Sequence, residues 1–122
     1  MKHAPGFLAL VNDAKKRIRE VSCDEVKRRL ERGESFALLD TREESEWARG
    51  HLPRALHLSK GIIERDIEAA YPDPATPIVL YCGGGFRSAL AADSLQKMGY
   101  TDVVSMDGGW REWTDKGYPT ER

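Results

Sequence analysis

Ile78-Val79-Leu80-Tyr81-Cys82-Gly83-Gly84-Gly85-Phe86-Arg87-Ser88 is a short apolar run that delivers a thiol into a glycine loop. Ile78 to Leu80 has the β-branched, apolar character of a strand buried on both faces. From Arg87 to Met98, the residues Leu90, Ala91, Leu95 and Met98 recur at helical spacing, so the loop runs into a helix. Strand, loop and helix together are the unit of an open α/β sheet, in which the carboxyl ends of strands line the ligand crevice. Cys82 falls at such an end, where the following helix start adds unpaired N–H groups and the positive end of a dipole. The glycines let the backbone curl its amides inward, because glycine takes positive φ without steric cost, and their missing side chains let an anion touch the chain. A thiolate in that nest, beside Arg87, is expected to have a pKa below the free value of about 8.5. Cys82 is therefore the candidate nucleophile, and Gly83, Gly84, Gly85, Phe86, Arg87 and Ser88 form the candidate substrate-binding loop.

The flanking sequence repeats the alternation. Residues 5–19 suggest an amphipathic helix with Phe7, Leu8, Val11, Ala14 and Ile18 near one face. Ser22 caps a helix running to about Arg32 that Gly33 stops. Phe36 to Leu39 reads as a strand ending at Asp40, Glu43 to Arg49 as a short helix carrying Trp47, and Ala55 to Leu58 as a weak strand. A helix around Ile62 to Ala70 is broken by Tyr71-Pro72-Asp73-Pro74. Beyond the loop helix, which Gly99 ends, Val103 to Ser105 reads as a strand and Trp110 to Lys116 as a closing helix. Strands alternating with helices predict a parallel sheet covered on both faces.

Composition narrows the partners. A chain of 122 residues suits one domain, large enough to bury roughly two thirds of its unfolded surface without disulfides or metal. A formal charge of -1 and a pI of about 6.3 argue against nucleic-acid or membrane partners. The basic stretches Lys15 to Arg19 and Lys27 to Arg32 are interleaved with Asp13, Glu20, Glu25 and Glu31, as on solvated helix faces. The apolar cluster Phe7 to Val11 is too short for a signal-peptide core and no membrane-span candidate follows, so the expected location is cytoplasmic, where two cysteines stay reduced. Cys23, in a first helical turn, reads as a small packing residue, with a resolving thiol as the alternative. No cluster has metal-ligand spacing, so neither metal nor cofactor is expected.

Asp40-x-Arg42 upstream, Gly50-His51-Leu52-Pro53, Cys82-x-x-Gly85-x-Arg87-Ser88 and Gly108-Gly109-Trp110-x-x-Trp113 occur in that order. Over about residues 20–118 this pattern resembles a single-domain rhodanese, a sulfurtransferase, and the agreement of four separated motifs makes the resemblance specific. It implies a rhodanese-like α/β fold over residues 20–122, with a central parallel five-stranded sheet and helices on both faces, preceded by an N-terminal helical extension over residues 1–19. It also implies that Cys82 takes sulfur from thiosulfate or a related donor such as glutathione persulfide and passes it to cyanide or to a thiol such as thioredoxin or another protein. Arg54 departs from the pattern, standing where the family usually has glycine after Pro53.

Supporting roles are expected for Asp40, as an acceptor of loop N–H groups at its strand end, and for Arg42 and Glu46, four apart and facing each other at a helix start. A catalytic Asp40 is the sharper alternative, though an ionised thiol needs no general base. In the family the positions of His51 and His57 belong to a turn and a strand, which weighs against a Cys–His pair. Arg87 is expected to bind the donor's anionic end. Phe86, Trp47 and Trp110 are expected to border the pocket, and Trp113 and Tyr100 to lie in the core. Two rival functions remain. A non-catalytic sulfur carrier or regulatory module needs the same persulfide. A cysteine phosphatase or arsenate reductase is disfavoured, because phosphatase loops resemble Cys, five residues, Arg, whereas four residues separate Cys82 from Arg87.

Overall fold

The computed structural model describes residues 2–122. In chain order they form α1 (Pro5–Lys15), β1 (Arg19–Val21), α2 (Cys23–Glu31), β2 (Ala37–Asp40), α3 (Glu44–Arg49), β3 (Leu56–His57), α4 (Ile63–Ala70), β4 (Ile78–Tyr81), α5 (Phe86–Lys97), β5 (Val103–Met106) and α6 (Gly109–Asp115). The strands make one sheet in the order β1-β5-β4-β2-β3, and every pairing is parallel. Parallel neighbours need crossovers, and the helices supply them, which covers the sheet on both sides.

All residues of β2, β4 and β5 are buried, as their continuous apolar runs require. Alternate residues feed two cores. Ala37, Leu39, Ile78, Leu80 and Val103 meet Ile63 and Ile67 of α4 and Ala91, Ala92 and Leu95 of α5. Leu38, Val79, Tyr81, Val104 and Met106 meet Cys23 and Val26 of α2 and Trp113 of α6. Tyr100 joins the first core and Trp113 the second, both as expected.

Local signals set the helix starts. Ser22 Oγ accepts the Glu25 N–H at 3.0 Å, and Gly33 follows α2 with φ 69°. Glu43 and Glu46 form a reciprocal capping box at α3, with the Glu43 N–H donating to Glu46 Oε1 at 3.0 Å. That bond fixes Glu46 on the edge of the crevice.

The first helix is shorter than the sequence pattern predicts. It ends at Lys15, and Arg19–Val21 instead pair with Val104–Met106 of β5. Arg17, between the helix and the strand, anchors the turn: its guanidinium forks onto Asp93 of α5, with Nε 2.9 Å from Oδ1 and Nη2 2.8 Å from Oδ2. α1 packs on α5 through the buried Val11 and Ala14. Arg54 is the one non-glycine among the described residues with positive φ, 64°, and its guanidinium donates to the Leu30 carbonyl. Among the described residues no helix is long and apolar enough to cross a membrane.

Candidate active site

β4 ends at Tyr81, so Cys82 leaves the sheet between its two central neighbours and stands at the floor of a cavity of about 530 Å³. Its Sγ accepts two backbone hydrogen bonds, from Gly85 N at 3.2 Å and Ser88 N at 3.3 Å, and lies 3.5 Å from Ser88 Oγ. Ser88 is buried and pairs with Ser105 Oγ of β5 at 2.8 Å. Two N–H groups aimed at one sulfur are donors placed for an anion, as in the nests that wrap phosphates and iron–sulfur clusters.

The glycines divide the work of the loop. Only Gly85 is in the left-handed region, with φ 97°, and it turns the chain into α5. Gly83 and Gly84 instead provide clearance: a Cβ on Gly83 would lie 3.0 Å from Arg87 Nη2, and one on Gly84 3.2 Å from Arg111 Nη1. Behind the loop, the start of α6 clamps it. Trp110 N donates to Cys82 O at 2.8 Å and Arg111 N to Gly83 O at 3.0 Å.

Three charged residues line the cavity: Glu46, Arg87 and Arg111. Arg87 is engaged end-on with Glu46, Nη1 to Oε1 at 2.8 Å and Nη2 to Oε2 at 3.2 Å. That guanidinium holds the Glu46 carboxyl below the usual carboxylate range. The expected pairing of Arg42 with Glu46 is therefore not formed. Arg42 is buried and turns to Asp40, with Nη2 2.8 Å from Oδ2, and to the Gly50 carbonyl at 2.6 Å. Asp40 also accepts from the Arg42 N–H at 2.9 Å and from Tyr81 OH at 2.8 Å. Its carboxylate is wholly enclosed and fully occupied, tying the end of β2 to the end of β4. Burial, and next the charge of Asp40, push the Tyr81 phenol pKa up.

A family profile for the rhodanese-like domain matches residues 22–116. The chain belongs to that family. A putative sulfur carrier protein, YrkF of Bacillus subtilis (strain 168), is 32% identical over 81% of the chain, and the alignment covers 52% of YrkF, so the chain spans about half the length of that relative. The thiosulfate sulfurtransferase GlpE of Pseudomonas fluorescens is 34% identical over 74% of the chain and 80% of its own length. A solved structure from Rhodopseudomonas palustris, RPA3614, described as a protein of unknown function and possible tyrosine phosphatase, superposes with a TM-score of 0.86 at 30% identity, covering 99% of this chain and 98% of that one. Homologues of this rhodanese-like domain thus include named sulfurtransferases and a sulfur carrier.

Of the aromatics expected at the pocket, only Phe86 lines it. Trp47 stacks on His51, with ring centroids 3.6 Å apart, and Trp110 covers Arg42 at 4.5 Å. Both are used to pack the Asp40–Arg42 corner. His51 Nδ1 lies 2.9 Å from the Leu52 carbonyl and His57 Nε2 2.7 Å from the Arg42 carbonyl, and neither ring lines the cavity. Sequence reasoning missed three lining residues, His3, Phe7 and Arg111. The first two lie before the family pattern. Arg111 was hidden between the two tryptophans of the last motif, and only its backbone bond to Gly83 brings it over the loop. Among the described residues no group of three or more His, Cys, Asp or Glu could hold a metal ion.

Cys23 is fully buried, its Sγ 3.6 Å from the carbonyls of Asp107 and Gly109. Burial, then the charge of Glu112, push its thiol from 9.0 up to about 12. The raised value fixes the sign of its effect on stability: the contribution is whole below pH 9.0 and is lost as pH climbs toward about 12. Iodoacetamide should leave Cys23 unmodified in the native protein at neutral pH. The decline of stability over that alkaline interval should be shallower in Cys23→Ser, with a residual slope from the tyrosines Tyr71, Tyr81, Tyr100 and Tyr118 and from Lys27 and Lys116, whose folded values are raised as well. Urea unfolding at a series of pH values checks this, and parallel profiles would show that Cys23 is not the titrating group.

Proposed function

We propose that the chain is a rhodanese-type sulfurtransferase that moves sulfane sulfur through a persulfide on Cys82. The observation that carries this is the thiol itself, held at the cavity floor by the N–H groups of Gly85 and Ser88. In the first half-reaction the Cys82 thiolate attacks the outer sulfur of thiosulfate. A new S–S bond forms, the old one breaks, and sulfite leaves with the bonding pair. In the second, an acceptor thiolate or cyanide attacks the outer sulfur of the persulfide, and the electron pair returns to Cys82 as a thiolate. No oxidant, metal or general base enters either step. Gly83, Gly84 and the Gly85 and Ser88 amides cradle the negatively charged sulfur, Phe86 walls it, and Asp40 with Arg42 keeps the strand ends in register. Glutathione persulfide is a second donor of suitable chemistry, and thioredoxin or another protein thiol a suitable acceptor. Residues 20–122 form the sulfur-transfer unit, α1 belongs to the segment added ahead of it, and the reducing cytoplasm suits the free thiol.

The test is intact-mass measurement after exposure to thiosulfate, followed by turnover with cyanide and with thiols. A gain of one sulfur atom on Cys82 and catalytic release of sulfite support the proposal. Persulfide formation without turnover would favour a carrier, the role named for YrkF. Appreciable hydrolysis of para-nitrophenyl phosphate by Cys82 would favour the phosphatase reading that the four-residue gap to Arg87 argues against.

The Glu46–Arg87 pair sets the charge of the cavity, which holds two guanidiniums and one carboxylate. Arg87→Ala removes one cation and strips Glu46 of its partner, so it should raise the KM for thiosulfate by about 10- to 100-fold, the equivalent of a charged hydrogen bond of roughly 1.5 to 3 kcal/mol. Glu46→Gln should lower that KM, and Arg87→Ala with Glu46→Gln should recover part of the loss. Steady-state kinetics decide between charge and shape: a double variant as impaired as Arg87→Ala alone would mean that Arg87 holds the loop rather than the anion.

A further inference from the structure

One wall of the Cys82 cavity comes from outside the region that matches the family. His3, just ahead of α1, and Phe7 within it line the cavity together with Phe86, whereas the matched region begins at residue 22. The three rings meet pairwise: His3 lies 5.3 Å from Phe7 and 4.7 Å from Phe86, and Phe7 lies 6.2 Å from Phe86, all tilted. Such arrangements are attractive beyond simple burial. The helix beneath them is held by Val11, Ala14 and the Arg17–Asp93 fork, so the wall is fixed on the domain.

A different chemistry faces the opening from α6. Arg111 lines the same cavity and makes no ion pair among the described residues, whereas Arg87 is engaged with Glu46. The site thus offers an aromatic surface and one uncommitted guanidinium. Its volume of about 530 Å³ is far larger than a thiosulfate or cyanide ion needs. It falls among pockets that hold molecules with a carbon skeleton.

Resting on the sulfur-transfer reading, we propose that His3 and Phe7, with Arg111, select the sulfur acceptor at Cys82: an organic thiol whose carbon chain lies on the rings and whose anionic end reaches Arg111, in preference to cyanide. The thiolate attacks the outer sulfur of the Cys82 persulfide, its own S–S bond forms, and the bond to Cys82 breaks with the pair returning to the protein. Phe7 and His3 are positioning residues for the chain, and Arg111 for the charge.

The 122-residue chain is loaded with thiosulfate and desalted, and loss of the persulfide is followed with mercaptohexanoate, aminohexanethiol and cyanide. Comparing variant with wild type within each acceptor cancels the acceptor's own nucleophilicity. Phe7→Ala and His3→Ala should lower the rate with both six-carbon thiols relative to cyanide by roughly 3- to 10-fold, as expected for losing part of an aromatic contact surface. Phe7→Leu, which keeps an apolar side chain, should retain most of the preference. Arg111→Ala should lower mercaptohexanoate relative to aminohexanethiol by about tenfold, the scale of one charge-assisted hydrogen bond, and Arg111→Lys should restore part of it. Equal losses with all three acceptors, or none, would overturn the selection by these residues while leaving sulfur transfer standing. Failure of the wild type to form a persulfide on Cys82 would instead remove the reaction on which the selection depends.

Discussion

Cys82→Ser should abolish sulfur transfer and change the melting temperature little. The hydroxyl is smaller than the thiol but can accept from the same Gly85 and Ser88 N–H groups, which now hold Sγ at 3.2 and 3.3 Å, so the loop keeps its anchor. Oxygen cannot carry sulfane sulfur, so no persulfide forms and both half-reactions stop. The variant should gain no mass from thiosulfate and release no sulfite above background, with a near-native far-UV spectrum. Cys23→Ser should retain most activity, because that thiol faces the second core and not the cavity. Loss of activity in Cys23→Ser with survival in Cys82→Ser would reassign the nucleophile.

The central strands and the nucleophile loop were legible because their chemistry is local. An apolar run, a thiol, three glycines and a helical period lie within consecutive residues, and β4, Cys82 and α5 are where that run puts them. β1 was not legible. Arg19 and Glu20 are exposed, Val21 is only half-buried, and the strand exists because its backbone pairs with β5. No apolar period announces such an edge, and the neighbouring Ile18 extended the helical pattern past its true end. The partner of Glu46 was hidden for another reason. Spacing of four suggested Arg42, but Arg42 lies before the helix and finds Asp40 two residues away, while Arg87 arrives from 41 residues further along. Arg111 and the His3–Phe7 wall depend likewise on tertiary approach, which sequence separation conceals.

Gly109→Ala should cost about 2 to 5 kcal/mol and disable the site. Its φ of 58° already disfavours a side chain, at roughly 1 to 2 kcal/mol for an L-residue in the left-handed region. The larger effect is contact. A Cβ at this position would sit 2.5 Å from Cys82 O and 2.8 Å from both C and O of Gly83, backbone atoms with no rotamer to yield. Relief requires moving either the nucleophile loop or the start of α6, an overpacking cost of roughly 1 to 3 kcal/mol. Either movement stretches the Trp110 N–Cys82 O and Arg111 N–Gly83 O bonds that clamp the loop. Gly33→Ala is the internal control, since Gly33 has φ 69° with nothing within 4 Å of its added Cβ. It should show the conformational cost alone and keep full activity. Urea melts and thiosulfate turnover of the two variants separate the contributions. Equal destabilisation, with turnover intact in both, would mean that the loop tolerates displacement and that the clamp from α6 does not hold Cys82 in place.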